Sequence, residues 1–96
     1  LELARLITYK AAWMQARDSQ NMQTGVICTM AKYWASEIAQ RATDRGMRVL
    51  AGYGFTMEYD MQRYFRNCRQ LIFAPITNEM SKNFIGQVML GLPKSY

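Results

Sequence analysis

The sequence predicts an all-α protein built as an antiparallel helical bundle of about four helices. Three observations predict this class. Apolar residues recur at helical spacing over most of the 96 residues, no segment shows the apolar and polar alternation of a strand, and glycine or proline residues interrupt the pattern at points that leave short loops. A chain of this length is expected to form one domain.

The first predicted helix runs from the start of the chain to about Arg17, where the segment DSQNMQTG breaks the pattern. A second helix is predicted from about Thr24 and extends for roughly 26 residues, or about 39 Å. It ends at the segment AGYG, where we expect Gly52 and Gly54 to adopt backbone angles closed to other residues. The apolar positions of the first helix are Leu3, Leu6, Ile7, Trp13 and Met14.

The third helix is predicted to begin near Asp60, because a carboxylate complements the positive end of a helix. Pro75 is predicted in the first turn of the last helix, where a proline sacrifices no intrahelical hydrogen bond. That helix is expected to end at Gly91, with Pro93 just beyond. Four aromatic residues fall on apolar faces and are predicted to pack in the core: Trp13, Trp34, Phe65 and Phe84.

The composition limits the possible functions. Twelve Lys and Arg residues stand against seven Asp and Glu residues, and the net charge is +5. The basic residues are spread along the chain, which is typical of solvated helix faces. A denser group leaves a patch for phosphate-bearing ligands open as an alternative: Arg41, Arg45, Arg48, Arg63, Arg66 and Arg69. No segment has the signature of a recognition helix, so we expect no nucleic acid partner.

Metal sites, disulfide frameworks and membrane spans are not expected either. The chain has no histidine, and its two cysteines lack the spacing of a zinc site. No apolar run approaches the ~20 residues of a membrane span, which predicts a soluble, intracellular protein. Because the chain starts within a helical pattern and lacks an initiator Met, we expect it to be a piece of a longer protein.

Four segments, taken in order, resemble the C-terminal domain of the acyl-CoA dehydrogenases: ARLITYKAAW, MAKYWASEIAQRATDRGMRVLAGYGFTMEY, RYFRNCR and LGLP. The resemblance covers essentially the whole chain, residues 1–96. Its most specific part is the Ala-Lys-x-x-Ala-x-Glu run that begins at Ala31, followed by Ala42-Thr43-Asp44, Gly52-Tyr53-Gly54-Phe55 and Glu58-Tyr59. A Gly-x-Gly alone is a weak signal, whereas this ordered set is specific.

The resemblance implies a parent oxidoreductase of fatty acid metabolism that uses FAD and removes hydrogen from the α and β carbons of an acyl-CoA thioester. It also implies preceding helical and β domains, a homo-oligomer (a dimer or a tetramer), and an acceptor similar to electron-transfer flavoprotein. The expected compartment is the bacterial cytoplasm or the mitochondrial matrix. Since the preceding domains are missing, the isolated fragment is expected to be inactive.

The resemblance also implies FAD contacts beside the glycine segment. Gly52 matches a position that approaches the FAD pyrophosphate of a neighbouring subunit. Ala51 replaces a usual glycine and Arg48 a usual glutamine, and an arginine can form charge-assisted hydrogen bonds to phosphate. The alternative is a glycine-rich helix end with an exposed arginine.

The segment QLIFAPITNEM departs from the family at the usual catalytic base, a glutamate. Pro75 falls at that position and Ile76 at the glycine that follows, so no catalytic residue is assigned. Thr77 and Glu79 match residues that contact FAD, although Glu79 is equally well explained as an acidic first-turn residue that complements the helix dipole. We expect the base upstream of Leu1. The alternatives are a catalytically silent subunit and a helical interaction or scaffold domain.

Overall fold

The structure is a computed structural model that describes residues 1–94. This part of the chain contains five helices and no strand, which confirms the all-α class. The four predicted helices are present, and a short fifth helix, α3, follows the longest one. The helices are α1 (Glu2–Arg17), α2 (Met22–Leu50), α3 (Gly52–Phe55), α4 (Met61–Leu71) and α5 (Asn78–Leu90).

Helix α2 is the centre of the bundle. Its 29 residues extend over about 43 Å, and each of the other four helices packs against it. Helix α4 begins beside Gly46, near the end of α2, and α5 begins beside Ser36, nearer the middle. Helix α4 ends near Lys32, which contacts the Ile72 carbonyl oxygen, and Met89 near the end of α5 lines a cavity with Gln23. Both helices therefore run antiparallel to α2, as predicted.

The predicted start of the last helix is wrong. Pro75 lies in the loop before α5, after a cis peptide bond from Ala74, and the helix begins at Asn78. The Thr77 hydroxyl accepts a hydrogen bond from the Met80 N–H at 3.1 Å, so Thr77 is the N-cap. Threonine is a preferred N-cap residue, and its side chain fixes the start of α5 three residues after the proline. The predicted end is confirmed, because Gly91 caps α5 with a left-handed φ of 64°.

The glycine segment also differs from its prediction. Gly52 and Gly54 both lie in α3, and the positive φ belongs to Ala51, with φ 48° and ψ −128°. The chain changes direction at this single residue between α2 and α3. Gly54 is buried, and a Cβ there would lie 3.2 Å from the Met47 carbonyl oxygen. The glycine at position 54 is therefore explained by the close packing of α3 on α2 and not by an unusual backbone angle.

Small side chains make up the apolar core of the described residues: Ala4, Ala11, Val26 and Ala31 are its buried members. The predicted apolar face of α1 is largely unburied, since Leu3 and Leu6 are 68% and 63% exposed. The prediction that Trp13 packs in the core is wrong, because its side chain is 59% exposed. The other three aromatic residues predicted there are half-buried.

Candidate functional site

Residues 72–77, named here the entry loop, lead from α4 into α5. The loop is closed at its base, because the Asn78 N–H donates to the Ile72 carbonyl oxygen at 2.9 Å. Its first residues continue the turn of α4, with the N–H groups of Phe73 and Ala74 donating to the Gln70 carbonyl oxygen. Pro75 has no N–H to donate. The course of the second half of the loop therefore depends on contacts from another helix.

Lys32, on α2, supplies these contacts. Its ammonium group donates to the carbonyl oxygens of Ile76 at 2.6 Å and Ile72 at 3.5 Å, and to the Asn78 Oδ1 at 2.7 Å. An ammonium group has three N–H donors, and each has an acceptor here. Burial lowers the pKa of Lys32, while the charge of Glu79 acts in the opposite direction.

Asn78 links this lysine to an acidic residue on the same helix. Its side chain is 1% exposed, and its Nδ2 donates to the Ser36 hydroxyl and to the Glu37 Oε1, both at 3.0 Å. The amide oxygen thus faces the cation and the amide nitrogen faces the carboxylate. Both the acceptor oxygen and the donor nitrogen of this buried side chain are therefore hydrogen-bonded.

Sequence reasoning did not assign a role to this cluster. Lys32 and Glu37 belong to the run most specific for the family resemblance, yet only their identity was used. An available signal was the spacing, because residues 32 and 36 lie four apart and share one helix face. The side chain of Asn78, next to the predicted contact Thr77, is what places that face against α5.

A cavity of about 200 Å³ lies beside the entry loop. A second cavity of about 220 Å³ shares Thr29, Ile76 and Ser81 with it and continues toward Met80 and Phe84. The side chains of Pro75 and Ile76 have no group that accepts a proton, so this wall of the cavity supplies no base. The first cavity is lined by Cys28, Thr29, Lys32, Pro75, Ile76 and Ser81.

Two of the predicted cofactor residues lie together at the far end of α2. Arg48 is in the last turn of α2 and forms an exposed ion pair with Asp44 at 3.1 Å. Gly52 is the exposed first residue of α3, and a Cβ added to it would meet no atom within 4 Å. No packing within the described chain therefore requires a glycine there.

The other two lie at the start of α5. Thr77 is half-buried and caps the helix, and Glu79 is exposed in its first turn. This end of α5 packs near Lys32 and Ser36, and 12 residues of helix separate Ser36 from Arg48, which is about 18 Å. The structure thus brings the four residues together as two pairs and not as one cluster.

The described residues contain no group of three or more His, Cys, Asp and Glu side chains placed to hold a metal ion. Both cysteines are free thiols and are half-buried. None of the helices within residues 1–94 is long and apolar enough to cross a membrane.

Residues 1–90 match the family model described as the acyl-CoA dehydrogenase C-terminal domain. The acyl-CoA dehydrogenase FadE12 of Mycobacterium tuberculosis is 38% identical over 96 residues, which are 100% of this chain and 24% of that protein. The glutaryl-CoA dehydrogenase of Desulfococcus multivorans is 33% identical over 95 residues, 99% of this chain and 24% of its own length.

The caffeyl-CoA reductase-Etf complex subunit CarC of Acetobacterium woodii is 31% identical over 90 residues, 94% of this chain and 23% of its own. The chain thus spans about a quarter of the length of these relatives. No solved structure is significantly similar to it. The family match and the relatives show that the chain belongs to the acyl-CoA dehydrogenase family and corresponds to its C-terminal domain.

Proposed function

We propose that residues 1–96 are the C-terminal helical domain of an FAD-dependent acyl-CoA dehydrogenase. The full-length protein would remove hydrogen from the α and β carbons of an acyl-CoA thioester, as part of fatty acid metabolism. The observation that carries this proposal is the similarity of the whole chain to proteins named acyl-CoA and glutaryl-CoA dehydrogenases. Because the chain spans about 24% of them, the isolated fragment is expected to be inactive.

The residues at the far end of α2 fit a phosphate group of FAD. The exposed backbone at Gly52 has free space where a side chain would stand, so a ligand can approach it closely. Arg48 can turn from Asp44 toward a phosphate at small cost, since an exposed ion pair contributes about 0–1 kcal/mol. When bound, the flavin supplies the acceptor for the hydride that leaves the β carbon.

Thr77 and Glu79 would contact FAD at the start of α5. The Thr77 hydroxyl oxygen accepts from the Met80 N–H, which leaves the hydroxyl proton for donation to a ligand. Glu79 offers an exposed carboxylate next to Met80, which lines the second cavity. Its other role, complementing the helix dipole, is compatible with the same position.

We propose that the two pairs serve different FAD molecules. Sites about 18 Å apart cannot contact the same phosphate, and the family resemblance implies that the glycine segment approaches the FAD of a neighbouring subunit. Gly52 and Arg48 would then serve the FAD of a neighbouring subunit in a homo-oligomer, either a dimer or a tetramer. Large apolar side chains beside Gly52 favour an interface there: Phe55 is 79% and Met57 86% exposed. The Etf complex named for one relative supports an electron-transfer flavoprotein-like acceptor for the full-length protein.

The catalytic base of the full-length protein would lie upstream of Leu1. The cavity wall formed by Pro75 and Ile76 has no proton acceptor, and the ammonium group of Lys32 uses its protons as hydrogen-bond donors. The alternative is a catalytically silent subunit. We expect Pro75→Glu to leave the rate nearly unchanged in the first case, because a base accelerates only within hydrogen-bond reach of the proton.

The proposal is tested with the full-length protein and two matched glycine variants. Wild type should purify with bound flavin, and its absorbance should bleach when an acyl-CoA substrate from a panel is added. Gly52→Ala should lower flavin retention without lowering the apoprotein's melting temperature. Gly25→Ala, also without neighbours within 4 Å, should keep its flavin and should melt no lower than wild type, because alanine is the better helix former.

Two results would count against parts of this proposal. If wild type binds flavin but no acyl-CoA bleaches the flavin absorbance, the result favours a catalytically silent subunit. Full flavin retention in Gly52→Ala removes the cofactor contact at that residue and leaves it as an exposed helix start.

A further inference from the structure

We propose that Lys32 is a positioning residue for the acyl-CoA site, holding the entry loop against α2 and so fixing the cavity wall that Pro75 and Ile76 form. The contact between Lys32 and the loop rests on the geometry alone. Its effect on catalysis rests on the proposed function. No part of the family resemblance gave Lys32 a role.

The first argument is the pattern of acceptors. The three oxygen atoms that Lys32 contacts come from the first residue of the entry loop, from its fifth residue and from the first residue of α5. One ammonium group therefore joins both ends of the loop and its second half. Such hydrogen bonds are charge-assisted and are stronger than those between neutral groups.

The second argument is that nothing else in the described chain takes over this contact. The Ile76 carbonyl oxygen accepts from Lys32 and from no other donor among residues 1–94. Pro75 lacks an N–H, and the N–H groups of Phe73 and Ala74 point back to α4. Removal of the ammonium group would leave the stretch from Pro75 to Thr77 without a hydrogen bond to α2.

The third argument concerns the cavity. Lys32 lines it together with Pro75 and Ile76, so a movement of the loop changes the space in which a substrate would lie. Reactions in enzyme sites are sensitive to such movements, since a misplacement of about 1 Å can lower a rate by about 10²-fold. Lys32 would act through the loop and does not itself transfer a proton.

The test uses the full-length protein with Lys32→Met, which keeps an unbranched side chain of similar length and removes the charge and all donors. Lys32→Arg restores a cation with several donors, and Lys10→Met removes an exposed lysine on α1 as a control. Amide hydrogen exchange of residues 76–81 reports on the loop. Single-turnover flavin bleaching, with its dependence on acyl-CoA concentration, separates the maximal rate from the apparent substrate affinity.

In Lys32→Met we expect the Asn78 amide to exchange its hydrogen at least about tenfold faster than in wild type. This factor corresponds to the loss of a hydrogen bond to a charged group. The maximal bleaching rate should fall about 10- to 100-fold at unchanged flavin content. Lys32→Arg should recover most of both, and Lys10→Met should match wild type. Should Lys32→Met not fold, Lys32→Gln, which keeps two donors, replaces it with the same expected directions.

Unchanged hydrogen exchange in Lys32→Met overturns the proposal, because the loop then does not depend on the lysine. Faster exchange with an unchanged bleaching rate also overturns it and leaves Lys32 with a purely structural role. A wild-type protein without flavin overturns the proposed function instead, and the exchange measurement then decides alone whether the lysine holds the loop.

Discussion

Asn78→Ala should destabilise the bundle, because it removes a buried polar side chain that is hydrogen-bonded to two charged residues. The side chain is 1% exposed and joins Lys32 to Glu37 through hydrogen bonds of 2.7 and 3.0 Å. Each hydrogen bond to a charged group contributes about 1.5–3 kcal/mol. Part of this is recovered, because Lys32 keeps its contact to the Ile76 carbonyl oxygen and water can reach the half-buried Glu37. We expect a loss of about 2–4 kcal/mol in the free energy of unfolding.

The measurement is urea unfolding of the full-length apoprotein, followed by hydrogen exchange of α5 amides to locate the change. Asn67→Ala is the matched control, since Asn67 is an exposed asparagine on α4, and surface substitutions of this kind stay within about ±0.5 kcal/mol. A loss below about 1 kcal/mol in Asn78→Ala would show that a single hydrogen bond at most is formed. It would refute the description of Asn78 as the link between the two charges.

Three further outcomes are expected. Ala51→Gly should stabilise the protein in thermal unfolding by about 1 kcal/mol, because the φ of 48° and ψ of −128° at Ala51 are strained for a residue with a Cβ. An unchanged melting temperature would contradict this. Gly54→Ala should destabilise it by about 1–3 kcal/mol, since the new Cβ would lie 3.2 Å from the Met47 carbonyl oxygen, and a neutral result would show that α3 moves freely. The pKa of Lys32 is lowered in the folded state from its ordinary 10.5. At a pH between the folded and unfolded pKa, the native protein therefore binds fewer protons than the unfolded chain. The stability of wild type relative to Lys32→Met should therefore rise with pH through that alkaline window and be flat below it; a fall with pH would refute the lowered pKa.

The long helices were predictable because their signals are local. Apolar spacing and interrupting polar or glycine residues placed α1, α2, α4 and the end of α5 within a few residues. The start of α5 was not predictable from the sequence, because two signals for a helix start compete there. Pro75 favours a first turn, but the Thr77 hydroxyl satisfies the Met80 N–H, and only the three-dimensional course of the loop decides between them.

The glycine segment shows a different limit. Glycine permits a positive φ without requiring it, so the pattern AGYG could not tell which residue makes the turn. The structure assigns the turn to Ala51. The packing requirement at Gly54 depends on the distance between α3 and Met47, which no local pattern contains.

The candidate site was predictable only in part, because its residues come from helices far apart in sequence. The resemblance supplied Arg48, Gly52, Thr77 and Glu79, whose cofactor contacts remain predictions. It supplied no role for Lys32, whose acceptors lie 40 to 46 residues away along the chain. A half-buried lysine on an apolar helix face is informative only when the oxygen atoms opposite it are known.

The contacts that hold the entry loop do not involve the side chains of Pro75 and Ile76, which the family resemblance aligns with the base segment. Lys32 and Asn78 hold the entry loop through main-chain carbonyl oxygens and through the first residue of α5, and neither contacts the side chain of Pro75 or Ile76 through a hydrogen bond. These hydrogen bonds are therefore independent of the side chains at these two positions. A substitution there changes the chemistry of the cavity wall but leaves the acceptors of Lys32 available, so the lack of a glutamate at residue 75 does not by itself argue against the proposed acyl-CoA site.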